Sequence, residues 1–304
     1  MTVDPRTVRV HFSALKMMAL SPAHYAHAAT KPWGGGTLAQ RMGTHAHAAT
    51  FEPHRLVEFT AGTFTDKKGK TREHSDRRTG EAWEQFKARP EHPRDAVFVN
   101  AKELAHATAI AAALHAHPIA APLMFGADVI HEREILWARD GRECSSRPDF
   151  RIPGVMIGDL KTCRSAQPER YTRDALWTYY HAQLRFYDFA DAYETGRTPY
   201  DPRTRKGDRI DLYSVAIESM QPHVATVFAL DDSAIISADL AIGTWWQKLL
   251  ACEAENAWHG YRQSIELLTC DDPENNIMAA FADTDDETAE NDNSDADDDW
   301  SKAS

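Results

Sequence analysis

The chain has 304 residues, 42% of them hydrophobic and 10% aromatic, enough to bury a substantial core in one elaborated domain. No run approaches the ~20 apolar residues of a membrane span, and residues 1–10 lack the apolar core of a secretion signal, so the expectation is a cytoplasmic protein. The net charge of −12 argues against a polyanion partner until it is divided: residues 283–304 hold ten acids and one lysine, a net of −9, leaving −3 for the first 282.

In chain order, apolar periodicity predicts helices over 13–30, 37–51 and 101–115, an amino-terminal helical region to about residue 120. Residues 59–95 are charged and turn-rich and read as a mobile insertion. Two basic stretches, 67–72 and 203–209, fit either local phosphate tracks or solvated loops. Strands are predicted at 129–137 and 142–152, joined by a tight hairpin at Asp140-Gly141, and at 155–161. A helix over 172–193 follows, then strands at 210–218 and 223–229 and a long closing helix over 233–261, with Trp245, Trp246, Leu249 and Leu250 at core spacing. No internal repeat is present. Gly34-Gly35-Gly36 lacks the spacing and lysine of a phosphate-binding loop, so no nucleotide cofactor is expected.

The chemistry concentrates in the middle of the chain. Arg147-Pro148-Asp149 is followed ten residues after Asp149 by Asp159-Leu160-Lys161-Thr162. On a strand Asp159 and Lys161 share a face and Leu160 turns into the core, so an acid and an amine occupy one site. If the hairpin pairs with this strand, Asp149 lands beside them, and clustered carboxylate oxygens suit Mg²⁺, with Mn²⁺ as substitute. On these residues alone, a turn at Asp149 and an ordinary surface pair fit equally well. Gln183 and Tyr187, four apart on a predicted helix, stack on one face.

Together with Tyr180-His181-Ala182-Gln183-Leu184-Arg185-Phe186-Tyr187, these motifs resemble the core of the PD-(D/E)XK nucleases, and more narrowly the RecE-type exonuclease branch. Upstream, Gly43-Thr44-His45-Ala46-His47 with Glu52-Pro53 is similar to that branch's G-T-x-x-H-x-x-x-x-E-P helix, which selects His47 over His45. Glu132 matches the family's additional acid, with Glu134 as the rival on the same face. The resemblance runs from about residue 12 to 193. It implies a mixed α/β fold: a PD-(D/E)XK restriction-endonuclease-like core, a mixed central sheet flanked by helices, with the amino-terminal helical region and an acidic tail.

The resemblance further implies metal binding by Asp149, Asp159, Glu132 and His47, assistance to the nucleophile by Lys161, and a phosphate site shaped by Gln183 and Tyr187. Tyr180 is read first as aromatic packing. The implied activity is 5′ to 3′ digestion of linear double-stranded DNA, leaving 3′ single strands for recombination through a RecT-like annealing protein, often from phage or prophage. Some relatives form homo-oligomeric rings. The alternatives are an endonuclease or a single-strand or flap nuclease on the same fold, and a non-cutting scaffold that binds DNA ends.

Cysteines stand at 144, 163, 252 and 270, without C-x-x-C spacing and with none before 144, so no zinc site or iron–sulfur cluster is expected. They read as free thiols, those at 144 and 163 near the site and open to oxidation. The expected organisation is one nuclease domain over 1–282, its catalytic core from about 121, and a disordered acidic tail over 283–304.

Overall fold

The computed structural model of the chain describes residues 3–31 and 36–261. A short strand, Val10–His11 (β1), leads into Phe12–Leu15 (α1), a 3-10 turn at Lys16–Ala19 and Pro22–Thr30 (α2). The single helix expected over 13–30 is broken at Ser21-Pro22, where Ser21 accepts the His24 amide and Pro22 supplies a helical φ at the first position. Leu38–Phe51 (α3) follows the expected span, opened by a capping box between Thr37 and Gln40.

Residues 59–95 differ from the mobile insertion that their charge suggests. Leu56–Glu58 (β2) precedes a hairpin of Gly62–Thr65 (β3) and Thr71–His74 (β4), the helix Gly80–Lys87 (α4), and Val97–Val99 (β5), which pairs in parallel with β2. These pieces share an aromatic core. Phe59, 2% exposed, meets His74, Trp83 and Phe86, and Phe98 closes against Trp83 and Phe86. The basic stretch at 67–72 is the hairpin tip, where Asp66 accepts the Lys68 and Lys70 amides at 2.9 Å each and the Arg72 guanidinium at 2.6 Å. The amino-terminal part therefore carries strands as well as the expected helices. Ala101–Ala116 (α5) forms as expected, with an Asn100–Glu103 capping box, and Ala120–Phe125 (α6) turns the chain toward the sheet.

The remaining elements are Ile130–His131 (β6), Ile135–Arg139 (β7), Arg142–Ser146 (β8), Phe150–Ile152 (β9), Met156–Cys163 (β10), Pro168–Trp177 (α7), Tyr180–Thr195 (α8), Asp211–Glu218 (β11), Ala225–Ala229 (β12) and Asp232–Glu255 (α9). A mixed five-stranded sheet runs β12-β11-β10-β9-β6, with β10 and β11 parallel over their full length, and a three-stranded sheet runs β1-β8-β7. The predicted hairpin exists: Asp140 and Gly141, at φ 48° and 78°, have the left-handed backbone of a primed turn. Each of its long strands is divided between the two sheets, one at Glu132 (φ 51°) and the other at Arg147-Pro148-Asp149. The helix expected over 172–193 is likewise two, parted at Tyr179 (φ 63°).

Alternation along β10 distributes its side chains. Met156 and Leu160 join a core with Ala46, Ile110, Leu114 and Phe150 under α3 and α5. Ile157 joins a second core with Leu184, Phe186, Trp245 and Trp246 under α8 and α9. The absent side chain of Gly158 makes this possible: a Cβ there would lie 1.9 Å from the Phe150 ring of the neighbouring strand. Among the described residues, no helix is long and apolar enough to cross a membrane. Cys144, Cys163 and Cys252 are free, and burial pushes the Cys144 and Cys163 thiols up to about 12, which disfavours the thiolate that oxidation needs. Cys270 and the tail at 283–304 lie outside the described residues.

Candidate active site

The antiparallel pairing of β9 with β10, Phe150 opposite Gly158, brings Asp149 alongside Asp159 and Lys161. The Asp149 Oδ2 accepts the Leu160 amide at 2.6 Å, which ties the carboxylate to the backbone of the strand it faces. Asp159 is 2% exposed and forms an ion pair with Lys161, whose Nζ also sits 4.7 Å over the Tyr180 ring. Burial works against the charge on Lys161, but Asp159 and Asp149 outweigh it and raise its pKa. Burial also pushes the Asp149 carboxyl up to about 7, helped by repulsion from Asp159.

A fourth group arrives on α3. At Gly43 this helix passes so near β10 that a Cβ would lie 3.2 Å from the Thr162 hydroxyl. One turn later the His47 Nε2 lies 2.8 Å from the Leu160 carbonyl and 3.6 Å from Asp149 Oδ2, and its Nδ1 lies 3.6 Å from Glu132 Oε1. Burial opposes the imidazolium, yet Asp149 and Glu132 outweigh it and raise His47 to about 9. His45 is buried elsewhere, with Glu103 and Arg78 as its charged neighbours. Of the two histidines, His47 is the one that α3 brings beside Asp149 and Glu132.

The left-handed backbone at Glu132 separates the two candidate acids. Glu132 turns toward His47 and is held by Arg147 Nε at 2.8 Å, while Glu134 accepts the Ser145 hydroxyl. The expectation that both share a face fails because the strand bends between them. Arg147 also reaches Glu52 at 3.3 Å, so the Glu52-Pro53 end of α3 is joined to the site. From α8, the Gln183 amide donates to the Tyr187 hydroxyl at 2.7 Å. Burial first, then Asp159 and Asp149, hold the Tyr187 phenol well above its usual range, so it remains protonated.

One donor atom from each of His47, Glu132 and Asp149 lies within 4.8 Å of the others, with the Leu160 carbonyl at hydrogen-bond distance from the histidine. An imidazole nitrogen among hard oxygens, in a pocket where a buried carboxyl is driven toward its neutral form, fits a divalent cation such as Mg²⁺ or Mn²⁺. Asp159 stands outside that triad and is engaged with Lys161. The Leu160 carbonyl and the clamp by Arg147 are absent from the sequence reading. A main-chain oxygen leaves no residue-type signal, and for Arg147, two residues before Asp149, the motif implies no role. Tyr180, read as packing, does tilt against Tyr171 at 6.5 Å, but it also carries the lysine.

Residues 11–270 match the family model described as a PDDEXK-like domain of unknown function, DUF3799. The chain belongs to this family. Its fold is also that of a crystal structure described as "Putative exonuclease" from Eubacterium rectale, with a TM-score of 0.54 at 14% identity over 92% of this chain and 94% of that one. A structure described as SSO0001 aligns over 39% of this chain and 50% of that chain at 16% identity, with a TM-score of 0.23 that carries no weight. No curated protein matches the chain. The mixed α/β core is thus a PD-(D/E)XK core, as the motifs imply.

Proposed function

We propose that this chain is a divalent-metal-dependent deoxyribonuclease: an exonuclease that digests linear double-stranded DNA 5′ to 3′ and leaves 3′ single strands for recombination by annealing. The observation that carries the nuclease reading is the meeting of His47, Glu132 and Asp149 beside the Asp159–Lys161 pair in a PD-(D/E)XK fold. The end-directed reading and its polarity rest on the RecE-type motifs, and the exonuclease name of the Eubacterium rectale structure agrees with the first of these.

Asp149, Glu132 and His47 would hold the cation, with Asp159 and the Leu160 carbonyl beside them. A divalent ion there supplies an acidified water, a polarised phosphoryl oxygen and a counter-charge for the leaving oxygen. Lys161, kept charged by Asp159 and oriented over Tyr180, directs the attacking water or offsets the charge that builds on the phosphate. Because the Tyr187 oxygen accepts from Gln183, its own proton is left to donate into the site, toward a phosphate oxygen. Arg147, 47% exposed at the side chain, adds a guanidinium at the mouth. Its partners on this reading are DNA ends in the cytoplasm, a RecT-like annealing protein, and further copies in a homo-oligomeric ring.

Digestion of linear duplex labelled at either end, beside a closed circle, with Mg²⁺ and with Lys161→Ala as control, tests the proposal. Early release of the 5′ label with the circle spared is the expected result. Cutting of the circle replaces it with an endonuclease, and binding without any product replaces it with a scaffold.

A further inference from the structure

Asp159 begins a row of side chains that leads out of the active site. The parallel pairing of β10 with β11 sets Ser214 opposite Asp159, and the antiparallel pairing of β11 with β12 sets Phe228 opposite Ser214. Partners across a sheet leave the same face at a strand spacing of about 5 Å, so the three side chains span roughly 10 Å of one face. The far end of this row lies in a cleft of about 450 Å³ between α7 and the first turns of α9. Tyr171 of α7 lines it, with its hydroxyl 2.6 Å from that of Ser214 and its ring stacked on Phe228 at 4.7 Å. Tyr180 belongs to both places: it lines the cleft, and the Lys161 Nζ sits 4.7 Å over its ring. Lys161 and the cleft therefore meet at one aromatic ring.

The lining selects for a neutral, flat guest. Aromatic rings and Leu176 supply apolar surface, and exposed Ser233 and Ser237 bring hydroxyls to the rim. Among the described residues, no lysine or arginine lines the cleft, and the Asp231 carboxylate at its edge is occupied in capping α9, where it accepts the Ala234 amide at 2.8 Å. His181 lies 3.3 Å from the Ser237 hydroxyl, and burial lowers its pKa, which favours the neutral imidazole. A phosphate gains no counter-charge here. A planar ring with a hydrogen-bonding edge gains both apolar contact and polar partners. The substrate of the proposed reaction carries such rings one sugar away from each phosphate.

We propose that the cleft between α7 and α9 receives the base of the nucleotide next to the phosphate being cut, held against its aromatic lining while that phosphate stays at Lys161. This rests on the nuclease reading. A base must leave its stack to enter, so the cleft favours a nucleotide that is already unpaired, as at a frayed strand end. Every base has a π-face, and the contact positions the strand without selecting sequence. No bond is made or broken in the cleft.

The test uses end-labelled linear duplex with one abasic residue at a defined position, cut by the wild-type chain and by Ser237→Trp, which plugs the cleft from an exposed position on its rim. Wild type should slow by about 5- to 100-fold at the phosphodiester beside the abasic residue and run normally elsewhere, the effect of one lost base–aromatic stack. Ser237→Trp should be slower by a similar factor on intact duplex, with no added pause at the abasic residue. Its thermal shift with Mg²⁺ alone and the salt dependence of its DNA binding should match wild type, because the contact is uncharged. A wild-type chain that passes the abasic residue at full speed overturns the assignment and leaves the nuclease reading intact. A pause that persists in Ser237→Trp also overturns it, since the base is then read elsewhere. Loss of self-association in Ser237→Trp with the pause unchanged gives the cleft to a second copy of the chain instead. Should Ser237→Trp melt early, the abasic comparison in wild type decides alone. A wild-type chain inert on every DNA overturns the nuclease reading and this assignment with it.

Discussion

Two buried clusters of charge lie side by side on β9 and α8, and they are built differently. On one, Arg151 pairs with Asp191 and Glu194, Arg197 with Asp188 and Asp191, and Arg185 with Asp188 and Asp239. Each of these carboxylates faces at least one guanidinium, and the Asp191 carboxylate also takes the Gly154 amide at 3.0 Å. The cluster ties α8 to β9 and to α9 and is complete without a ligand. Two residues along the chain from Arg151, Asp149 lies beside Asp159, and burial together with that repulsion raises it to about 7. There burial and the repulsion between the two carboxylates outweigh the charge that His47 and Lys161 supply. Burial is common to both clusters, so burial alone does not mark function; the crowding of two buried carboxylates does.

The sharpest way to break this comparison is to neutralise one charge in each cluster. Asp149→Asn keeps an oxygen for the Leu160 amide and removes the crowded charge. It should cut the cleavage rate by about a thousandfold or more while leaving the metal-free melting temperature unchanged or higher. A variant that is inactive only because it melts early would contradict the contrast. Arg151→Met should do the reverse, costing about 3–5 kcal/mol in urea unfolding, while the fraction still folded cuts at the normal rate. A smaller effect separates the clusters by ligand. Mg²⁺ or Mn²⁺ at a hundred times its dissociation constant should stabilise the wild-type chain by about 2.7 kcal/mol and Asp149→Asn far less, and a chelator should reverse the gain. Last, His47→Ala should weaken metal binding, by about 10- to 100-fold, whereas His45→Ala should leave it alone. Equal effects would mean that α3 presents the other histidine.

Much of the site is legible in the chain because strand geometry is local. With a side-chain period of two, Asp159 and Lys161 must share a face once 155–161 is a strand, and the ten-residue step back to Asp149 closes through a short antiparallel return. Gln183 and Tyr187 are legible for the same reason on a helix. The failures have a shared physical cause as well. Glu132 and Glu134 count as neighbours on one face only if the backbone is regular, and φ 51° at Glu132 is set by the passage of the strand from one sheet to another. Before the break at Tyr179, α7 docks over Ser214 through Tyr171, whose hydroxyl lies 2.6 Å from the serine, a contact between segments remote along the chain. The aromatic core of residues 59–95 was hidden because Phe59, Trp83, Phe86 and Phe98 follow no single period.

By itself, then, the sequence determined the family, the two acids and lysine of the central strands, the histidine register and the faces of β10 and α8, since each depends on residues a few positions apart in regular backbone. Only the tertiary structure decided which glutamate turns inward, that the Leu160 carbonyl stands beside His47, and that Arg147 clamps Glu132. Those are meetings between segments remote along the chain, and they are specified by how the two cores close on opposite faces of one sheet.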